Sequence, residues 1–460
     1  MHYTFLWGLA SILLLINFAL GVKKPIPYNG CPTFDLKNRI SIIEKSSISG
    51  FSLQKNLSAF NLFTDTQFIF NLLRLHISEE EFCELQSSAN IMMMFPAAIW
   101  LSEKSMFLTV VRLSYSRKAF LKSFLYTSLF DSNWNEVITE ELIGMTQVPG
   151  IIPIDVYDYS IENSGPEDPR IFWFSNEIYI IFNMIDIDLK RKMFLYNFST
   201  GESWALRIID HLFWHRYAEK NWTPLIIDDK SMYFVYNYKN FQILDCTDRN
   251  NYCIKSSGEF NTVPSGLRGG SPYVRFQKTN YFISYGYTHI DYRKDEEFCV
   301  VYRPAITIVF IEENPLSFRL IYQSEPIEFQ EKLFIQPIMN YTEGSQAEIC
   351  EDRRIMMVVS IAKWDYDKDI VDITINLNDT IPLAIQISGL TSLINDVIKM
   401  HENRAFLEET NCAERLAWKH FELEDIEGTK FSPRKKRMAG VKNDKTDLDL
   451  TKVVFQNLQF

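Results

Sequence analysis

The densest chemistry in this 460-residue chain lies in Ser164-Gly165-Pro166-Glu167-Asp168-Pro169-Arg170-Ile171. Pro169 keeps the residue before it extended, and residues i and i+2 of an extended chain share a face. Asp168 and Arg170 are therefore expected to point together into one cavity, the alternative being a surface turn with a local ion pair. Three other stretches add to them: Glu219-Lys220-Asn221-Trp222-Thr223-Pro224 ahead of a strand, Arg268-Gly269-Gly270-Ser271-Pro272 with its Gly-Gly turn, and His289 closing a strand pair after Tyr285. One carboxylate, Asp168, facing Arg170, Lys220, Arg268 and His289 suits a reaction in which phosphate leaves a sugar carbon. Cations neutralise the departing phosphate, and an acid/base group handles a hydroxyl.

For these loops to meet, the elements between them must be arranged around an axis. From about residue 90, short apolar and aromatic runs pair across polar turns, as hairpin strands do. One theme recurs: a strand, a turn with Ser, Asn, Asp or Lys, then a strand opening on an aromatic or Met. It occurs at 99–111, 171–183, 225–238, 273–287 and, more weakly, 353–361. The markers Phe107, Tyr179, Tyr233, Tyr281 and Met357 stand about 50 to 75 residues apart, a spacing suited to one four-stranded blade per unit. The expected fold is all-β, a five-bladed β-propeller, with an irregular β-sandwich or several small β domains as the alternative. The expected organisation is a membrane segment at 1–24, a stem at 25–89 with a helix around Asp65 to Leu85, the propeller at 90–383, and a C-terminal extension at 384–460. That extension is read as helical at Ala384 to Met400 and Ala413 to His420, with a charged tail.

With 47 Lys+Arg against 58 Asp+Glu the net charge is −11, which argues against a nucleic-acid partner. Hydrophobic residues at 47% exclude a disordered chain. The uncharged run Tyr3 to Val22 is long enough to cross a bilayer as a helix, so entry to the secretory pathway is expected. A retained anchor is favoured, although Ala19-Leu20-Gly21 also looks like a signal cleavage site. Sequons at Asn56, Asn197, Asn340 and Asn378 are candidate glycosylation sites, while Asn221 is followed by Trp222-Thr223-Pro224, where the proline hinders modification. Of seven Cys, Cys246 and Cys253 bracket a short turn that a disulfide could close.

GPEDPRI, EKNWTP and RGGSP, with MMMFPAAIW and VVRL ahead of them (92–113), resemble the fungal β-mannosyltransferase family over about residues 25–420. The same motif order is similar to the bacterial mannoside phosphorylases, five-bladed propellers with an E-D-P-R signature. The resemblance implies Asp168 as the acid/base residue, with Arg112, Arg170, Lys220, Arg268 and His289 holding the phosphate end of a donor. It places Glu167, Asn221, Trp222, Gly269 and Gly270 around the sugar. It implies GDP-mannose as donor, an α-mannoside on an N-glycan or cell-wall mannan as acceptor, a β-1,2 linkage made with inversion, and a type II membrane enzyme of the Golgi lumen. A phosphorylase or hydrolase of β-mannosides and a non-catalytic carbohydrate-binding propeller are the competing readings. Asp186-Ile187-Asp188, Asp365-Tyr366-Asp367 and Asp447-Leu448-Asp449 have the D-x-D shape of a metal site but read better as turns, and His211 with His215 as paired surface or packing residues. No metal ligand is assigned, although a divalent metal that assists departure of GDP is compatible with the reading.

Overall fold

The computed structural model describes residues 41–47, 72–79, 81–82 and 91–402, except 118–119, 138, 157–163, 210–217, 239–240, 248–250, 257–266, 295–296, 325, 328–354 and 380. The membrane segment, Asn56, His211, His215, Asn340, Ala413 to His420 and Asp447-Leu448-Asp449 lie outside these residues. Among the described residues, no helix is long and apolar enough to cross a membrane.

Five sheets of four or five strands follow one another along the chain, beside a small two-stranded hairpin (Glu141–Ile143 with Thr146–Val148). They are the five expected blades. From the inside outward, blade 1 runs Ile91–Leu101, Met106–Arg117, Phe120–Phe130 and Glu136–Val137. Blade 2 runs Glu167–Phe174, Glu177–Ile185, Arg191–Asn197 and Glu202–Ala205. Blade 3 begins at Thr223–Ile226 and blade 4 at Leu267–Arg268 with Val274–Arg275. Blade 5 holds Met356–Asp365, Ile370–Leu377 and Ile381–Ser388, and takes its outer strand, Ser41–Ser47, from the N-terminal part of the chain.

Blade 2 shows why this sequence folds so. Ser175 and Asn176 both take left-handed backbone angles (φ 52° and 59°), the geometry of a two-residue turn whose twist matches the flanking strands. The next strand alternates, and both of its faces are apolar. Ile180, Phe182 and Met184 join a cluster with blade 1, while Tyr179 and Ile181 join one with blade 3. A blade that is apolar on both sides has to be stacked between neighbours. Blade 1 meets blade 5 through polar seams as well: Ala98 N donates to Ser360 Oγ at 2.9 Å and Phe95 N to Asn376 Oδ1 at 3.0 Å.

The expected helix from Ala384 begins later. Ile381–Ser388 is a strand, Gly389 turns with φ 90°, and the helix is Leu390–Glu402. Leu390, Leu393, Ile394 and Val397 on its inner face cover the cluster shared by blades 4 and 5. The propeller therefore runs past residue 383 and includes a strand from the segment read as stem. The fifth marker, Met357, sits on an innermost strand, whereas Phe107, Tyr179, Tyr233 and Tyr281 sit on second strands. The expected Cys246–Cys253 disulfide is present.

Candidate active site

The loop ahead of blade 2 is held from below by blade 1. Ser123 Oγ donates to the carbonyls of Ser164 (3.1 Å) and Pro166 (2.9 Å). Gly165 has φ 87°, and a Cβ there would run into the Ser123 carbonyl oxygen, so only glycine fits. Glu167 then forms two ion pairs: Arg112 Nη2 reaches Oε1 at 2.8 Å and Arg191 Nη1 reaches Oε2 at 2.8 Å. Arg191 also donates to Asn183 Oδ1 at 2.7 Å, and Asn183 Nδ2 donates to the Glu167 carbonyl at 3.2 Å.

Asp168 adopts φ 52°, a left-handed conformation that an L-residue with a side chain seldom takes. Arg170 secures the backbone beyond it. Its Nη1 donates to the carbonyls of Asp168 (3.1 Å) and Pro169 (2.9 Å), and its Nε donates to Gly270 O of blade 4 at 2.6 Å. Among the described residues, no hydrogen bond or ion pair takes the carboxylate of Asp168, which is half-buried.

The loop before blade 3 joins the site by a bridge from Ala218 to Arg191, with Glu219 N donating to Arg191 O at 2.8 Å. Lys220 follows, exposed, and its charge is felt at Glu167. Asn221, with φ 65°, accepts through Oδ1 from Tyr287 Oη at 2.7 Å. Tyr287 is buried, which pushes its hydroxyl up; the Asp168 carboxylate pushes the same way, and Arg170 and Arg268 oppose. Asp168, Arg170 and Arg268 therefore act on one phenol. Half-buried Arg268 and exposed Lys220 have no hydrogen-bond or ion-pair partner among the described residues. His289 lies on the blade 4 strand Tyr281–Lys294, but its side chain is outside the described ones.

Several expected roles change on this geometry. Arg170 is only 4% exposed and spends its donors on three carbonyls, so it ties blade 2 to blade 4; burial lowers its guanidinium pKa. Glu167 has both oxygens taken by arginines and does not face a sugar freely. Arg112 is correspondingly committed to Glu167, although its buried Nε lacks a partner among the described residues. Burial raises the Glu167 carboxyl against the downward pull of Arg112 and Arg191. Trp222 is 2% exposed, packed against Phe234 and Tyr236 between blades 2 and 3, with Nε1 on Glu219 Oε2 at 3.2 Å. Its faces are covered, and its burial contributes about 2 to 3 kcal/mol to the core instead.

A Cβ on Gly269 would strike Asn221 O, and one on Gly270 would strike Tyr285 O, so these glycines serve close backbone packing. Asn197 is buried, with Nδ2 donating to Glu177 and Tyr179, which leaves no room for a glycan. Asn378 is half-buried, with Oδ1 accepting from Ile355 N. Asp186 and Asp188 pair with Lys192 (2.6 and 2.9 Å), and Asp365 pairs with Lys368 (3.1 Å); among the described residues no cluster of His, Cys, Asp or Glu is arranged for a metal. Arg191, Ser123 and Tyr287 had no motif to announce them. Only strand pairing brings Arg191 opposite Ile185, two residues from Asn183.

Residues 205–419 match the model of a family described as Beta-mannosyltransferases. Among curated proteins the chain is similar to beta-mannosyltransferase 3 of Candida albicans, 25% identical over 67% of this chain and 60% of that one. It is also similar to beta-mannosyltransferase 8 of the same organism (23%; 68% and 60%) and to beta-mannosyltransferase 3 of Komagataella phaffii (23%; 60% and 50%). The chain thus spans 50 to 60% of the length of these relatives. Among solved structures, it aligns with a β-1,2-mannobiose phosphorylase from Listeria innocua in complex with β-1,2-mannobiose (TM-score 0.42, 9% identity, 68% of this chain and 93% of that one). Over residues 205–419 the chain is thus similar to the β-mannosyltransferases, the family that its motifs resemble.

Proposed function

We propose that this protein transfers mannose from GDP-α-mannose to the terminal mannose of an α-mannoside, on an N-glycan or cell-wall mannan, and forms a β-1,2 linkage. The observation that carries the reading is the Asp168 carboxylate. It is the acid of the EDPR loop that neither arginine of that neighbourhood consumes, and the backbone around it is held on both sides. Conversion of an α donor to a β product requires one displacement, hence one base and no covalent enzyme intermediate. Asp168 takes the proton of the acceptor 2-hydroxyl as the bond to the anomeric carbon forms. Lys220 and Arg268, cations with no described partner, offset the charge that gathers on the departing diphosphate. The uncharged run Tyr3 to Val22 supports placing the enzyme as a type II protein in the Golgi lumen.

The test is product analysis by NMR. The protein is incubated with GDP-mannose and α-1,2-mannobiose, and in parallel with phosphate and β-1,2-mannobiose. A new β-anomeric signal in the first reaction is expected, and Asp168→Asn should lose about 10³-fold in turnover with unchanged thermal stability. Phosphorolysis in the second reaction alone, or full activity in Asp168→Asn, would refute the reading.

A further inference from the structure

We propose that Glu167 is a positioning residue for Asp168: clamped by Arg112 of blade 1 and Arg191 of blade 2, it fixes the left-handed turn that presents the neighbouring carboxylate to substrate. This inference rests on the transferase reading above and adds to it a residue that acts through another.

A left-handed residue with a Cβ persists only where its surroundings over-determine it. At Asp168 the surroundings do so from both sides. After it, Arg170 Nη1 binds the carbonyls of Asp168 and Pro169. Before it, Glu167 is held at three points, by Arg112 at 2.8 Å, by Arg191 at 2.8 Å and through its carbonyl by Asn183 at 3.2 Å. None of these bonds uses the Asp168 carboxylate. The arrangement therefore orients that carboxylate without neutralising it.

Arg112 and Arg191 lie on different blades, so the turn is referenced to the packing of blade 1 on blade 2.

The perturbation is Glu167→Gln, which keeps the shape but turns an amide NH2 toward one of the two arginines. Arg191→Lys is the milder second variant. For a positioning role, kcat should fall at least about tenfold in Glu167→Gln while KM for GDP-mannose and for α-1,2-mannobiose stays within about twofold. The double variant should be scarcely worse than the poorer single one, because the pair acts as a unit. A risen KM with unchanged kcat would show Glu167 touching sugar and overturn the inference.

A second readout needs no substrate. In a crystal structure of the full chain carrying Glu167→Gln the backbone at Asp168 should leave its left-handed φ of 52°, and an unchanged turn overturns the inference. If the wild-type chain transfers no mannose, the transferase reading fails on that result, and the geometry of the turn still decides this one.

Discussion

Arg170→Lys separates a structural tie from a phosphate ligand. The guanidinium is 4% exposed and its planar fork reaches three carbonyls at 2.6, 2.9 and 3.1 Å. Lysine keeps the charge but offers a point donor on a flexible stem, which meets one of those acceptors and strands two. Each stranded buried carbonyl costs about 1 to 1.5 kcal/mol, giving a loss of about 2 to 3 kcal/mol. Both side chains are cations taken out of water, so desolvation largely cancels in the comparison. Urea unfolding followed by tryptophan fluorescence should show the midpoint falling by roughly 1 M at an m-value of about 3 kcal/mol/M. Turnover should fall as well, since the Asp168 carbonyl loses its donor. A phosphate ligand predicts the opposite pattern: stability within about 0.5 kcal/mol of wild type and a raised KM for GDP-mannose. That pattern would refute the structural assignment.

Gly165→Ala should destabilise by at least about 2 kcal/mol and abolish turnover, because the new methyl meets the Ser123 carbonyl at a φ of 87°; thermal melts and the transfer assay check both. Cys246→Ser should cost about 2.5 kcal/mol through the freed loop, whose Cys residues are 7 positions apart, and the loss should vanish when both proteins are compared under reducing conditions. His401, whose Nδ1 lies 2.9 Å from Tyr281 Oη, has its pKa lowered by burial and then by Arg319, against Glu402. A depressed histidine is charged more readily in the unfolded chain, so its contribution is present above about pH 6.5 and is lost as pH falls below that toward the folded value. Melting temperature measured across that window should fall on acidification, and less so in His401→Gln; equal slopes would count against the assignment. His76, lowered by burial too, should supply part of the remaining slope.

The five-fold repeat was legible because each hairpin repeats one pattern, an apolar strand, a polar turn and an aromatic opening the return strand. Blade 5 was the least legible, and the reason is physical. Its third strand, Ile381–Ser388, runs into a helix of similar apolar content with only Gly389 between them, and a short apolar run does not declare its period. Its fourth strand comes from the other end of the chain, which no local pattern reports.

The site was legible as a set of loops but not as a set of directions. The inference that Asp168 and Arg170 share a face assumes an extended backbone, and the left-handed angle at Asp168 breaks that parity. The carboxylate is left without a partner among the described residues while the guanidinium turns in to the carbonyls. Trp222 was misread for a similar reason: the motif marks the position, while the neighbouring blade decides what lies against it. Arg191 stands outside every motif and enters through register alone.

The pairing of Ser41–Ser47 with Ile381–Ser388 joins segments some 340 positions apart. During synthesis the Ser41–Ser47 strand emerges long before its mate exists, and bringing such distant segments together is entropically demanding and slow. Until the mate arrives, the ring is an open arc whose first and last blades each expose an apolar face. Those faces are open to other copies until then, and the pairing that closes the ring is also where an interrupted product would fall open.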